Sequence, residues 1–541
     1  MVSDVKLDES PAWVNLLNHH ATLRGVHLRD LFAKDPARLD RLTAEVEGVY
    51  LDISKHRITP ESLDLLIALA EQEGVVEKLK AMMTGARVNT TEDRPALHTA
   101  LRAPRGSVIE VDGENVVPQV HEVLDAMTEF SEDVRSGRHT GATGKQIRNV
   151  IHIGIGGSHL GPRFVTDALR PFVSPGLTMR FISNVDGADL HAAVDGLDPA
   201  ETLFIVASKT FTTTETISNA QEARSWVTAS LGDDAVSSHF AAVSTNLDAV
   251  EGFGIKAALT FGFWDWVGGR FSVASAIGLP VMIAIGPKAF REFLGGMHAM
   301  DQHALNTPLE SNVPALVALV GIWSIDFDGA QSHAVIPYAR DLASLPAHLQ
   351  QLEMESNGKS VTNNGEQVSV PTAPIVWGAA GTDAQHAFLQ LLHQGTVNVP
   401  VDFILVARAA EPFGNHQDML FANGVAQAEA LAFGLTSQEV ADSGEEAALI
   451  PHKTFPGNHP SSVLMIESLN PFTLGQLLSL YEHKVAIQGF IWGIDSFDQW
   501  GVALGKSLAT DLIAELEGPS ISAETDTSSA ALIARYQLLR D

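Results

Sequence analysis

The chain has 541 residues, 45% hydrophobic and 18% charged, which suits a large globular protein of two or three domains and argues against disorder. Its formal charge of −30, from 65 Asp plus Glu against 35 Lys plus Arg, argues against nucleic acid or an anionic membrane as partner, because both are held by clustered cations. Zero cysteines exclude disulfides, thiolate nucleophiles and Cys-based metal sites, and they fit a reducing interior.

The opening "MVSDVKLDESPAWVN" has no basic n-region and no apolar h-region. The longest apolar run, around "VPALVALVGIW", is shorter than the ~20 residues that span a bilayer, so a cytoplasmic protein is expected. Residues 1–115 alternate charged and apolar residues at helical spacing, as in "RLDRLTAEVEGVYLDIS" and "PESLDLLIALAEQEGVVEKLKAMM", and predict a mostly helical N-terminal region. The texture then changes. "RNVIHIGIGG", "MRFISNVD", "TLFIVASK" and "HFAAVST" are short β-branched runs separated by helix-length segments, which predicts a doubly wound parallel sheet over 116–287. After a helical stretch near 288–325 the same grammar returns in "SHAVIPYA", "APIVWGAAG" and "VPVDFILVA", giving a second α/β domain over 288–510. From about 470 the sequence predicts a long buried helix after an Asn-Pro start, and the tail over 511–541 ends in an amphipathic helix.

Several segments carry candidate chemistry. "IHIGIGGSHLGP" is a Gly-rich strand-to-helix turn that fails the dinucleotide, P-loop and nucleophile-elbow patterns. It is either a place where backbone approaches a ligand at a helix N-terminus or a plain tight turn. "SKTFTTTET" packs hydroxyls and one lysine into a single strand-to-helix turn. Capping needs one hydroxyl, with Thr213 or Thr214 as the candidate, so the surplus predicts a cradle for a phosphate dianion. Arg270 in "VGGRFS", between glycines and aromatic residues, is expected in a cleft, where its fixed charge can stabilise an oxyanion. Taken singly, Glu353 and Glu355 ahead of "SNG", His386 and His393 on an apolar stretch, and the late Lys506 have ordinary surface or core explanations. No H-E-x-x-H or comparable spacing is present, so no metal is expected.

In this order, "GIGGSHLGP", "SKTFTTTET", "VGGRFS", "MESNGKS", "AQHAF", "HQGT" and "GNHPSSVLMIESLNPFTLGQLLSLYEHKVAIQGFIWGIDSFDQWGV" resemble the glucose-6-phosphate isomerase family over nearly the whole chain. The resemblance implies two flavodoxin-like sugar-isomerase domains, no cofactor, and a homodimer whose active site is shared across the interface. It also implies interconversion of glucose 6-phosphate and fructose 6-phosphate in glycolysis and gluconeogenesis. Carried over by position, Ser208, Lys209, Thr210 and Thr213 hold the phosphate, Gly157 and Ser158 lie along the substrate, and Gln351 and Gln499 contact the sugar. Glu355 is the base, Arg270 stabilises the enediolate, and His386 with Lys506 opens the sugar ring. The chain departs from the family at His159, where Asp is common, at Ala379 and Ala380, where Glu-Pro is common, and at Ala503, where Glu is usual. A sugar-phosphate sensor without catalysis, or an isomerase of another sugar such as mannose 6-phosphate, are the competing readings; keeping Glu355, Arg270, His386 and Lys506 together favours the enzyme.

Overall fold

Apolar runs without polar alternation belong in strands covered on both faces. The computed structural model, which describes residues 6–518, 522 and 525–540, places them there. In chain order the strands are β1 (Thr43–Val46), β2 (Val49–Lys55), β3 (Glu110–Val111), β4 (Glu114–Asn115), β5 (Asn149–Ile153), β6 (Thr178–Ile182), β7 (Thr202–Ala207), β8 (Phe240–Val243), β9 (Thr260–Phe261), β10 (Ser332–Tyr338), β11 (Ile375–Trp377), β12 (Val401–Arg408) and β13 (Ser461–Ser468).

The first sheet runs β6-β5-β7-β8-β9 and every pairing is parallel. On one face of β5 and β7, Ile151, Ile153, Phe204 and Val206 pack against Ala220, Ala223 and Val227 of the helix Thr214–Leu231. The chain leaves β5 for β6 on one side and returns to β7 on the other, so the strand order reverses between β5 and β7. Open α/β sheets bind ligands at such a point, beyond the carboxyl ends of the strands. Those two ends carry the glycine turn and the hydroxyl-rich turn.

The second sheet runs β1-β2-β13-β12-β10-β11. Its β10 to β13 strands are parallel, but β2 joins β13 antiparallel and β1 joins β2 antiparallel. The mostly helical N-terminal region thus also supplies the β1–β2 pair, which adds an antiparallel edge to the parallel strands of the second sheet. "TAEVEGVYLDIS" is a hairpin because its apolar residues also fit a period of two, and Gly48, at φ +82°, supplies the turn between Val46 and Val49. β13 went unnoticed because it opens on Ser461 and Ser462, both buried, with Ser462 Oγ 2.9 Å from His56 Nε2.

The helix expected after Asn470 runs Pro471–Trp492, with the Asn470 side chain accepting from Thr473 N. Nearly all of it is buried, so its charged residues need partners. Glu482 pairs with Arg102 at 2.7 Å, His483 with Asp301 at 2.7 Å, and Lys484 with Glu353 at 2.7 Å. The chain divides into two compact units, one ending at Ser496 and the other beginning at Phe497. The second holds the turn Trp500–Val502 and the helices Ala503–Glu517 and Thr527–Arg540. The final helix expected for the tail is the last of these, while residues 519–521, 523–524 and 541 of that tail lie outside the described residues.

Candidate active site

The hydroxyl-rich turn follows β7, whose residues are all buried, and is anchored by Phe211. Phe211 sits at φ +54°, a conformation a bulky side chain adopts only when packing enforces it. Its ring is buried against Phe253, 5.8 Å between centroids. Thr210 and Thr212, on either side, stay exposed, with their hydroxyls 2.7 Å apart. Thr213 occupies the N-cap position of the helix Thr214–Leu231 yet makes no capping bond; it accepts instead from Ser208 Oγ at 3.2 Å. Simple over-capping therefore does not explain the hydroxyls, and the helix presents its first N–H groups uncapped by that side chain, as an anion site requires.

Lys209 is the cation of this turn. Its Nζ lies 3.0 Å from Asp265 Oδ1 and 5.8 Å from the centre of the Phe263 ring. The hydrogen bond from Lys209 holds the Asp265 carboxyl below its ordinary range. Asp265 was missed in the sequence, although it stands five residues before Arg270; no spacing announces it, because its partner is 56 residues away. The Lys209 carbonyl accepts from Ser244 Oγ at 3.1 Å and Thr245 Oγ1 at 2.8 Å, which fixes the backbone under the ammonium.

The glycine turn is locked to Arg270 by lack of space. A Cβ on Gly157 would run into the Gly269 carbonyl and come 2.6 Å from Arg270 N, so only glycine lets the two backbones meet. A Cβ on Gly156, itself at φ +56°, would lie 3.1 Å from Gln351 Nε2. The glycine turn thus approaches both Arg270 and Gln351 closely. Arg270, 2% exposed, donates from Nε to Ser356 Oγ at 2.6 Å and from Nη2 to the Ser496 carbonyl at 2.7 Å. Its Nη1 lies 3.3 Å from Glu355 Oε2, which also accepts from Gln351 Nε2 at 3.1 Å. Gln351 and Glu355 share one π-helical turn, Gln350–Glu355, a distortion frequent at functional sites. Gln351 Oε1 is buried with no hydrogen-bond partner among the described residues, an acceptor that a sugar hydroxyl would satisfy.

The two neighbouring acids separate cleanly. Glu353 is buried with both oxygens on Lys484 Nζ, at 2.9 and 2.7 Å, whereas the Glu355 side chain remains 19% exposed beside Arg270. His393 contacts Gln427 Oε1 at 2.8 Å and sets its edge against Phe455, a structural role. His386 ends the turn Asp383–His386 and is exposed; among the described residues no hydrogen bond joins it to the cluster around Glu355. Gln499 precedes the turn Trp500–Val502, and Lys506 is exposed on the helix Ala503–Glu517, both in the second unit. His159 is buried with its ring edge toward Phe181, and burial pushes its imidazole down to about 4.

With Glu355, Arg270, Gln351 and the glycine turn held together, the arrangement can move a proton next to a carbonyl and stabilise the resulting oxyanion. The family model for phosphoglucose isomerase matches residues 52–533. A glucose-6-phosphate isomerase of Deinococcus deserti is 56% identical over 537 residues, covering 98% of this chain and 99% of that protein. One from Anaeromyxobacter dehalogenans is 56% identical over 534 residues, covering 98% and 97%. The crystal structure of a glucose-6-phosphate isomerase from Chlamydia trachomatis superposes with a TM-score of 0.87 at 34% identity, covering 99% of this chain and all of that one. The Glu355 and Arg270 cluster and this likeness along almost the entire chain lead to one assignment: the chain belongs to the phosphoglucose isomerase family.

Proposed function

We propose that this chain interconverts glucose 6-phosphate and fructose 6-phosphate, as an aldose–ketose isomerase of glycolysis and gluconeogenesis in the cytoplasm. The observation that carries the reading is the contact of Glu355 with Arg270 at the glycine turn. The substrate phosphate docks on Ser208, Lys209, Thr210 and Thr213, while Gly157, Ser158, Gln351 and Gln499 line the sugar. Exchange between adjacent carbons passes through a cis-enediolate, so one carboxylate on one face can take the proton from C2 and return it to C1. Glu355 is that carboxylate. Arg270, held by Ser356 and the Ser496 carbonyl, places a permanent positive charge where the enediolate oxygen develops and exchanges no proton itself. His386 and Lys506 form the acid–base pair that opens the sugar ring. The reaction needs no cofactor. A coupled assay for glucose 6-phosphate formed from fructose 6-phosphate, in excess EDTA, tests the activity; no turnover there, with either substrate direction, rejects it.

The enzyme is further proposed to act as a homodimer in which His386 serves the partner's Glu355. The exposure of His386 favours this arrangement. Glu355→Ala and His386→Ala, each nearly inactive, are denatured and refolded as an equal mixture. A shared site restores about a quarter of wild-type activity, because half the dimers are mixed and each then holds one intact site of two. A mixture that stays silent, with mixed dimers verified by mass spectrometry, rejects sharing.

A further inference from the structure

The helix that opens at Gly157 contains a proline, Pro162. A helical carbonyl is regularly bonded by the N–H four residues later. For Ser158 that residue is Pro162, which has no N–H and whose ring crowds the carbonyl. Another donor stands at the Ser158 carbonyl: His152 Nε2, at 2.6 Å. His152 lies in the middle of β5, between Ile151 and Ile153, which face the opposite side of the sheet. A carbonyl only accepts, so Nε2 carries the hydrogen, and Nδ1, buried with no hydrogen-bond partner among the described residues, does not. Burial pushes the imidazole down to about 4, which keeps it neutral in this tautomer. Phe181, the register partner of His152 on β6, lies against the ring at 5.9 Å between centroids. Gly154 passes beside the bond, where a Cβ would come 2.9 Å from the Ser158 carbonyl and 3.1 Å from His152 Nε2.

We propose that His152 is a positioning residue for the isomerisation: donating from Nε2 to the Ser158 carbonyl, it replaces the hydrogen bond that Pro162 withholds and fixes the Gly157–Ser158 turn against the substrate. The first turn of this helix is thereby tied to the centre of the sheet rather than to its own next turn. That positioning role rests on the proposed placement of Gly157 and Ser158 along the sugar phosphate.

A double-mutant cycle tests it. His152→Phe keeps the ring and removes the donor; Pro162→Ala restores an N–H to the helix. In the wild-type background His152→Phe lowers kcat/KM about ten-fold, as expected for a buried carbonyl left unpaired, while competitive inhibition by inorganic phosphate at the Ser208–Thr213 cradle moves less than about two-fold. In the Pro162→Ala background the same substitution costs less than about two-fold, because residue 162 now supplies the bond. His152→Gln, whose amide reaches nearly as far as Nε2, recovers most of kcat/KM. The thermal midpoint follows the same cycle. Equal cost in both backgrounds, in kcat/KM and in melting, overturns the proposal. Coupling in melting but not in kcat/KM leaves the hydrogen bond in place and overturns its role at the substrate. If His152→Phe yields no folded enzyme, recovery of folding by Pro162→Ala supports the proposal and failure to recover overturns it.

Discussion

The turn after β7 and the turn around Glu355 serve the same ligand in the reading above, yet they are made differently. Thr210 and Thr212 are exposed, and Lys209 pairs with an Asp265 side chain that is 82% exposed, so charge there is screened by solvent. Arg270 is buried, its nitrogens committed to Ser356, Ser496 and Glu355. A hydrated cradle grips a group that does not change during the reaction, so it contributes similarly before and during the chemical step; a fixed, desolvated guanidinium acts on charge that appears only in the transition state. The difference teaches where substitutions should be felt: in kcat near Glu355, in KM near Lys209.

Substitutions at four positions probe that division. Glu355→Gln is expected to lower kcat by roughly 10²–10⁴-fold, the range for removing a general base, and to stop exchange of the C2 hydrogen with deuterated solvent while an open-chain five-carbon phosphate analogue still binds. Wash-in of deuterium at the wild-type rate would move the base elsewhere. Arg270→Ala is expected to cost roughly 10²–10³-fold in kcat, and Arg270→Lys should recover little, since a point charge cannot reproduce contacts to Ser356, Ser496 and Glu355 at once. A rise confined to KM would place Arg270 with the cradle. Lys209→Ala should raise KM about ten-fold with a much smaller change in kcat, and the increase should shrink as ionic strength rises. A kcat loss matching the KM increase would erase the division. Asp265→Asn removes the carboxylate that pairs with the Lys209 ammonium and would, in the proposed reading, compete with the substrate phosphate for it. KM should fall, by no more than about five-fold given the ~1 kcal/mol ceiling of an exposed pair. A rise in KM would show that Asp265 instead holds Lys209 in its working place.

The first sheet and the strand-to-helix turn after β7 are legible in the sequence because their signals are local: β5 and β7 are uninterrupted apolar runs, and the hydroxyls of 208–214 crowd one turn. The hairpin of Thr43–Lys55 was misread since a short segment with apolar residues every second position and charges between them also satisfies a helical spacing. β13 hid behind two serines, and the antiparallel joining of β2 to β13 links positions some 400 residues apart, which no local pattern encodes. At the site, the residues themselves could not separate Glu353 from Glu355. Lys484, which neutralises the first, lies 131 residues away on another helix. Asp265 and His152 escaped for the same reason: their roles are defined by what the fold brings beside them, Lys209 in one case and an orphaned carbonyl in the other.

The ion pair between Glu353 and Lys484 also bears on how the family can vary. Both side chains are at most 4% exposed, and Glu353 sits two residues before Glu355 on the same distorted turn. Losing either partner strands a charge in the interior, a penalty of about 3–5 kcal/mol, whereas exchanging both for apolar residues of like volume is often neutral. A lineage changing one residue at a time would therefore cross a trough of instability before reaching an equivalent neutral pair. The two positions are energetically coupled, so a change at one is expected to require a change at the other, and the turn that carries Glu355 inherits that constraint.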